Sequence, residues 1–208
     1  GTCTMRVPSS WFSVDADIAG NVRVDAKYNG IVVSSSVSES ILVGQKPTFT
    51  SLTSAGMIAT VPHHPLMPGD TYTVSIVANT NGQALSVWVL SVTFDSSLLT
   101  YSRVTTSSVY ISAVVTSGSG TLSLSTGGLS SGVSASAVTG SSVGVLTIEF
   151  TVNSGVSAGD RSGALSFVVF QMVNEYSIAF ANGVTGQIND ERGGSQTSAT
   201  LRIEELAL

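Results

Sequence analysis

Charge is scarce in this chain. Only 10% of its 208 residues are Asp, Glu, Lys or Arg, against about a quarter in ordinary globular domains. Eight Lys and Arg residues are spread thinly in a chain of formal charge −5. No basic stripe exists to neutralise phosphates, so nucleic-acid binding is not expected. Cysteine is nearly absent too. Cys3 stands alone, so no internal disulfide can form, and the thiol is either free or bonded to polypeptide outside this sequence. A single cysteine leaves the compartment open, and it fits a secreted protein whose core is large enough without staples. No apolar run approaches the ~20 residues that span a bilayer; the longest, Ala164 to Val173, is broken by Ser166 and Gln171. The N-terminus shows no basic-then-apolar leader, so the chain reads as a mature piece or a fragment. There is no Asn-x-Ser/Thr sequon.

What is abundant is Ser, Thr, Gly and Val, within a hydrophobic content of 42%. That content is too high for a disordered chain. β-Branched side chains fit a pleated sheet, and Gly and Ser fit its corners. The composition therefore implies short strands and tight turns. Sparse surface charge also gives little electrostatic protection against self-association.

The chain divides at Pro62-His63-His64-Pro65-Leu66-Met67-Pro68. Three prolines there deny ladder hydrogen bonds and favour an extended linker. Residues 1–66 are expected to form a small β-rich domain or part of one. Val22, Val24, Ala26 and Tyr28 alternate, Asn29-Gly30 is a type I′ turn signal, and Ile31 to Val37 returns, which makes a hairpin. Ile41 to Val43, Thr48 to Leu52 and Met57 to Val61 are further short strands. Residues 67–208 form the main module. Its expected strands are Tyr72 to Ile76, Leu85 to Phe94, Tyr101 to Thr105, Ser108 to Val115, Thr121 to Ser125, Val143 to Val152, Gly163 to Val173, Tyr176 to Ala181 and Ala199 to Ile203. Gly- and Asn-containing turns separate them, as in an antiparallel sandwich. Leu146, Ile148 and Phe150 face inward, and Thr147, Glu149 and Thr151 outward.

The ordered landmarks of residues 68–205 resemble cohesin-type domains. They are Pro68-Gly69-Asp70-Thr71-Tyr72-Thr73-Val74, then Phe94-Asp95-Ser96-Ser97-Leu98-Leu99, then Val145 to Val152, then Ala158-Gly159, and the final strand at Ala199 to Ile203. Three further words resemble the cohesin-like middle domain of transmembrane protein family 132, cell-surface adhesion-type proteins: Ala84-Leu85-Ser86-Val87-Trp88-Val89, Met172-Val173-Asn174, and Ile188-Asn189-Asp190-Glu191-Arg192-Gly193-Gly194. The resemblance implies an all-β, antiparallel jelly-roll or immunoglobulin-like sandwich. It also implies a preceding immunoglobulin-like β region, which suits residues 1–66. Bacterial cohesins bind dockerins through one sheet face, so the resemblance points to protein–protein contact.

The chemistry-bearing residue types form no reactive set. Gly140-Ser141-Ser142-Val143-Gly144 matches the G-x-S-x-G elbow of serine hydrolases, but both histidines lie upstream and no helix is expected after Gly144. His63 and His64 are too few for zinc, and adjacent positions on an extended chain point opposite ways. Gly118-Ser119-Gly120 precedes a strand, not the helix N-terminus that would hold a phosphate. Asp95 is expected to cap a turn. Asn189, Asp190 and Glu191 are the one acidic cluster with calcium-type oxygen ligands, and Arg192 beside them could equally pair with them. Trp88 is either core or, with Tyr101 and Tyr110, a platform on which a sugar could stack. No cofactor is expected, calcium apart. The expectation is a non-enzymatic extracellular or cell-surface module. It would act in structure or adhesion through a protein partner or self-association, with a repeating filament or coat as one setting. Carbohydrate binding is the alternative.

Overall fold

The computed structural model describes residues 18–28, 31–43, 52–62, 65–130, 138–190 and 196–204. It divides into two compact units, Gly1–Pro47 and Thr48–Leu208. In the first, β1 (Ile18–Tyr28) pairs antiparallel with β2 (Ile31–Val43), with Tyr28 opposite Ile31. This is the hairpin that the alternation and the Asn-Gly signal predict. The segment Ile41 to Val43, expected as a separate strand, continues β2 because Gly20, Ala19 and Ile18 extend far enough to pair with it.

The second unit is a sandwich of two sheets. One has five strands in the order β12 (Gln187–Asn189), β3 (Gly56–Thr60), β4 (Thr71–Asn79), β9 (Val143–Val152) and β6 (Leu99–Thr106). Its pairs are antiparallel except β12 with β3. The other has six strands: β11 (Ala179–Thr185), β10 (Gly159–Asn174), β5 (Leu85–Phe94), β8 (Thr121–Ser125) and β7 (Val114–Gly118) in order, with β13 (Ala199–Ile203) also on β10. β10 is 16 residues long. Its first half pairs with β13, and its second half lies between β5 and β11. No α-helix occurs among the described residues, and none is long and apolar enough to cross a membrane.

The compact unit that holds the sandwich takes in β3, which lies ahead of the boundary expected at residue 66. Met57, Ile58 and Ala59 of β3 pair with Ala78, Val77 and Ile76 of β4, and β12 pairs on its other side, so removing β3 would cut β12 off from the five-stranded sheet. The proline-rich segment is not a free linker either. Val61 N donates to Asn189 O, Leu66 N to Arg202 O and Glu204 N to Leu66 O. Those bonds tie the segment along β12 and β13. His63 and His64 lie outside the described residues.

Alternation builds the core. Tyr72, Val74 and Ile76 of β4 and Leu146, Ile148 and Phe150 of β9 are buried from one side. Trp88, Leu90, Val92, Leu122, Leu124 and Phe167 are buried from the other. Phe150 is the hub: its ring centroid lies 5.9 Å from Tyr72, 5.2 Å from Phe94 and 6.4 Å from Tyr101. Aromatic pairs at such spacings add about 0.5–1.5 kcal/mol each beyond area burial.

Two expected strands are placed differently. Ser108 to Val115 was expected to be extended, but Tyr110 N donates to Ser107 O and forms a turn, and β7 begins only at Val114. Tyr110 instead plugs the core. Its ring meets Trp88 edge-on at 6.2 Å, and its hydroxyl donates to Leu85 O. Tyr176 to Ala181 likewise starts with a turn, described below. Gly186 then carries the chain from β11 in one sheet to β12 in the other, its amide donating to Phe167 O.

Candidate functional site

The two outer faces of the sandwich differ in kind. On the five-stranded sheet most outward side chains of β4, β9 and β6 are polar, and several bond one another. Thr151 Oγ1 lies 3.3 Å from Thr71 Oγ1 and 3.2 Å from Ser102 Oγ, and Thr100 donates to Asn153 at 2.6 Å. Arg103 donates through Nε and Nη2 to Glu149 Oε2 at 3.1 and 2.8 Å. Exposed pairs of this type contribute about 0–1 kcal/mol. Their effect is to keep the face hydrated and closed to apolar contact.

The six-stranded sheet presents the opposite surface. β5, β7, β8, β11 and residues 165–174 of β10 contain no charged residue at all. Strand register sets its outward rows. Thr116 faces Ser123, which faces Ser91, then Val168, then Thr185. Beside that row run Val114, Ser125, Val89, Gln171 and Asn182. Among the described residues of the sandwich, the exposed large apolar side chains are Ile111, Val114, Val168, Phe170, Tyr176 and Ile178. Each lies on this sheet, just ahead of β7, or in the β10–β11 turn. Single exposed apolar residues are ordinary, but their gathering on one face marks an interaction surface.

Two local irregularities aim the apolar residues outward. Against β5, Val169 faces Leu90 and Gln171 faces Val89, so Phe170 is an extra residue. This β-bulge turns both Phe170 and Gln171 to solvent and reverses the alternation, burying Met172. At the hairpin end, Asn174 templates the turn. Its Oδ1 accepts from the amides of Tyr176 and Ile178 at 3.0 Å each, and its Nδ2 donates to Gln83 Oε1 at 3.0 Å. Ser177 adopts a left-handed φ of 62°. Such side-chain-to-backbone bonds compete successfully with a strand ladder. That is why the strand expected at Tyr176 starts at Ala179, leaving Tyr176 75% and Ile178 60% exposed.

The residues singled out from sequence fall elsewhere. Trp88 is 0% exposed and Tyr110 is buried against it. Tyr101 is half-buried on the other sheet, edge-on to Phe150. The three therefore form no sugar-stacking platform. A bulge at the start of β5 is the cause: Val87 faces Val173 while Leu85 faces Asn174, so Leu85 and Trp88 both turn inward. Asn189 continues β12 beside Thr60, and its Oδ1 has no hydrogen-bond partner. Asp190 is buried and accepts the Thr200 amide at 3.0 Å. Glu191 lies outside the described residues. Among those that are described, no group of three or more His, Cys, Asp or Glu side chains converges as a metal site would. Ser142 lies in an exposed bend that leads into β9.

Asp95 caps a turn as expected, its Oδ1 accepting from the Ser97 amide at 2.9 Å and the Ser97 hydroxyl at 2.6 Å. These bonds, with a smaller contribution from the Arg161 charge, hold its carboxyl below the usual carboxylate range. A cleft of about 260 Å³ lies beside it, lined by Ser97, Leu98, Val156 and Arg161 among others. No histidine or cysteine faces it, so it offers no nucleophile–base pair of the usual kinds. Phe170, Tyr176 and Ile178 were not singled out by sequence reasoning. The available signals were Glu175 standing as the sole charge between residues 165 and 185, and an Asn at the head of a polar tetrad.

Solved structures share this arrangement. The seventh ScaB type I cohesin of Pseudobacteroides cellulosolvens matches at a TM-score of 0.50 and 13% identity, over 74% of this chain and 95% of that one. The sandwich has the cohesin fold. A non-cellulosomal cohesin from the archaeon Archaeoglobus fulgidus is similar at 0.48 and 12%, covering 73% of this chain and 92% of its own. A cohesin–dockerin complex from Clostridium thermocellum is similar at 0.49 and 13%, covering 65% and 99%. No family model and no curated protein sequence matches the chain. At such identities the cohesin likeness establishes architecture, and function must be argued from the site.

Proposed function

We propose that this chain is a protein-binding module of the cohesin type, non-catalytic, whose contact surface is the outer face of β7, β8, β5, β10 and β11. One observation carries the reading. Among the described residues of the sandwich, the exposed large apolar side chains gather about a face whose strands β5, β7, β8, β11 and the second half of β10 hold no charge, while the opposite sheet carries hydrogen-bonded polar side chains. Depletion of charge with retained aromatic and aliphatic contact area is the composition of an interface core. A flat sheet face supplies a rigid, preorganised surface, which lowers the entropic cost of association.

The setting we propose is extracellular or at a cell surface, in adhesion or in a repeating coat or filament. The low charge and the resemblance to transmembrane protein family 132 support it. Two of the words behind that resemblance are structural neighbours: Trp88 faces Met172, and Leu85 faces Asn174. The test is a lysine placed on each face. Val89→Lys with Val168→Lys should abolish capture of partner protein from extracellular material of the source, because an unpaired charge would be buried on docking. Thr73→Lys with Thr151→Lys should leave capture intact. Equal capture by both pairs of variants would end the proposal.

A further inference from the structure

Resting on that reading, we infer that the β10–β11 hairpin is the anchor that selects the partner. Phe170, Tyr176 and Ile178 are its contact residues, and Asn174 is the positioning residue. The partner is a protein surface of apolar side chains carrying a Lys or Arg opposite Glu175.

The hairpin concentrates what an anchor needs. Interface energy gathers on a few residues, with Tyr prominent among them, and rigid presentation lowers the cost of ordering. Tyr176, Ile178 and Phe170 are 75%, 60% and 55% exposed. Nothing in the folding of the sandwich requires this exposure. It arises from two devices that break the strand pattern, the bulge at Phe170 and the Asn174 turn. The turn is rigid by construction. Asn174 N donates to Ile178 O, Ser177 N donates to Asn174 O, and the Asn174 side chain closes both tip amides while gripping Gln83 ahead of β5. The anchor is also continuous with the uncharged face. Val173 lies opposite Val87 of β5 and Ala179 of β11, and so joins the tip to the row through Val89 and Gln171.

Charge decides the chemistry of the occupant. Glu175 is the sole charged residue from 165 to 185, it is exposed, and it sits beside Tyr176. An apolar surface with a basic group opposite this carboxylate gains a pair at the interface rim. An acidic surface meets repulsion there, in a chain that is already net negative. The same sign works against an anionic membrane as the occupant.

Peptides displayed on phage and selected on the full chain supply the probe. Selected sequences should combine apolar residues with at least one Lys or Arg. Binding by fluorescence polarisation should weaken about tenfold or more on Tyr176→Ser and on Ile178→Ser, both at exposed positions. Asn174→Ala should weaken it comparably with Tyr176 and Ile178 still present, the mark of positioning. Glu175→Lys should weaken it, and a Lys→Glu exchange in the peptide should restore it. Thr73→Lys, on the other sheet, should leave it unchanged. Binding lost on Val89→Lys but indifferent to Tyr176, Ile178 and Glu175 would overturn the anchor and keep the face. No selectable binder, or binding that depends on Thr73, would overturn both.

Discussion

Gly186 is the point where the chain crosses from one sheet to the other, and a single methyl there should be costly. It sits between the last residue of β11 and the first of β12, with its amide bonded to Phe167 O at 2.8 Å. A Cβ at this position would fall inside the van der Waals radii of Phe167 Cε1, Cε2 and Cζ. The ring cannot withdraw. Phe167 is among the largest fully buried side chains, and its backbone is held opposite Val92 in the middle of the sheet. Overpacking costs about 1–3 kcal/mol, and a clash with a fixed ring belongs at the upper end, about 3 kcal/mol. Replacing Gly by Ala returns up to about 1 kcal/mol by restricting the unfolded chain. The net loss expected for Gly186→Ala is therefore about 2 kcal/mol. In a domain of this size that lowers Tm by roughly 4–8 °C. Urea unfolding followed by circular dichroism reads it as a lower midpoint at unchanged slope. The cause is checked by Phe167→Leu, which removes the obstructing ring. Against that background Gly186→Ala should cost about 1 kcal/mol less than it does alone. A loss under about 0.5 kcal/mol in the single variant, or strictly additive losses in the pair, would refute the close approach.

Trp88→Ala should cost about 3–5 kcal/mol by cavity formation, and Trp88→Phe markedly less, since the Trp88 Nε1 has no hydrogen-bond partner to lose. Thermal melts of the two variants check this, and near-equal losses would count against a packing role. Asp95→Asn tests the turn cap through pH. The bonds from Ser97 depress the folded carboxyl, so its stabilisation is complete above the unfolded pKa of ~3.9 and is lost as pH falls through the lower folded value. The stability gap between wild type and Asp95→Asn should be flat from neutral pH to about pH 5 and close below about pH 4. A gap that widens in acid would contradict the hydrogen-bond assignment.

Much of the fold is legible where side-chain alternation is clean. β8 and β9 begin and end where the alternating pattern does. Alternation fails where the chain slips phase. The bulge that turns Leu85 and Trp88 inward together leaves no mark in composition, so the facing of Trp88 stays ambiguous until β10 is laid beside β5. β12 spans three residues and pairs in parallel with a strand more than a hundred positions earlier, which no local period can reveal. Met57 to Val61 looks like the tail of a preceding unit because prolines follow it. Pairing with β4 and β12 makes β3 part of the sandwich. For the candidate site, the missing charge of the face is plain in the sequence. Its apolar anchor is not, because the exposure of Tyr176 and Ile178 depends on where the Asn174 side chain points.

The asymmetry between the two faces is tested most directly by a photoreactive benzoylphenylalanine placed at Phe170 or, in a separate variant, at Thr73, then irradiated in extracellular material of the source. Protein adducts should form from position 170 and not from position 73. Adducts of equal yield from both positions, or from position 73 alone, would contradict a contact surface on the outer face of β7, β8, β5, β10 and β11.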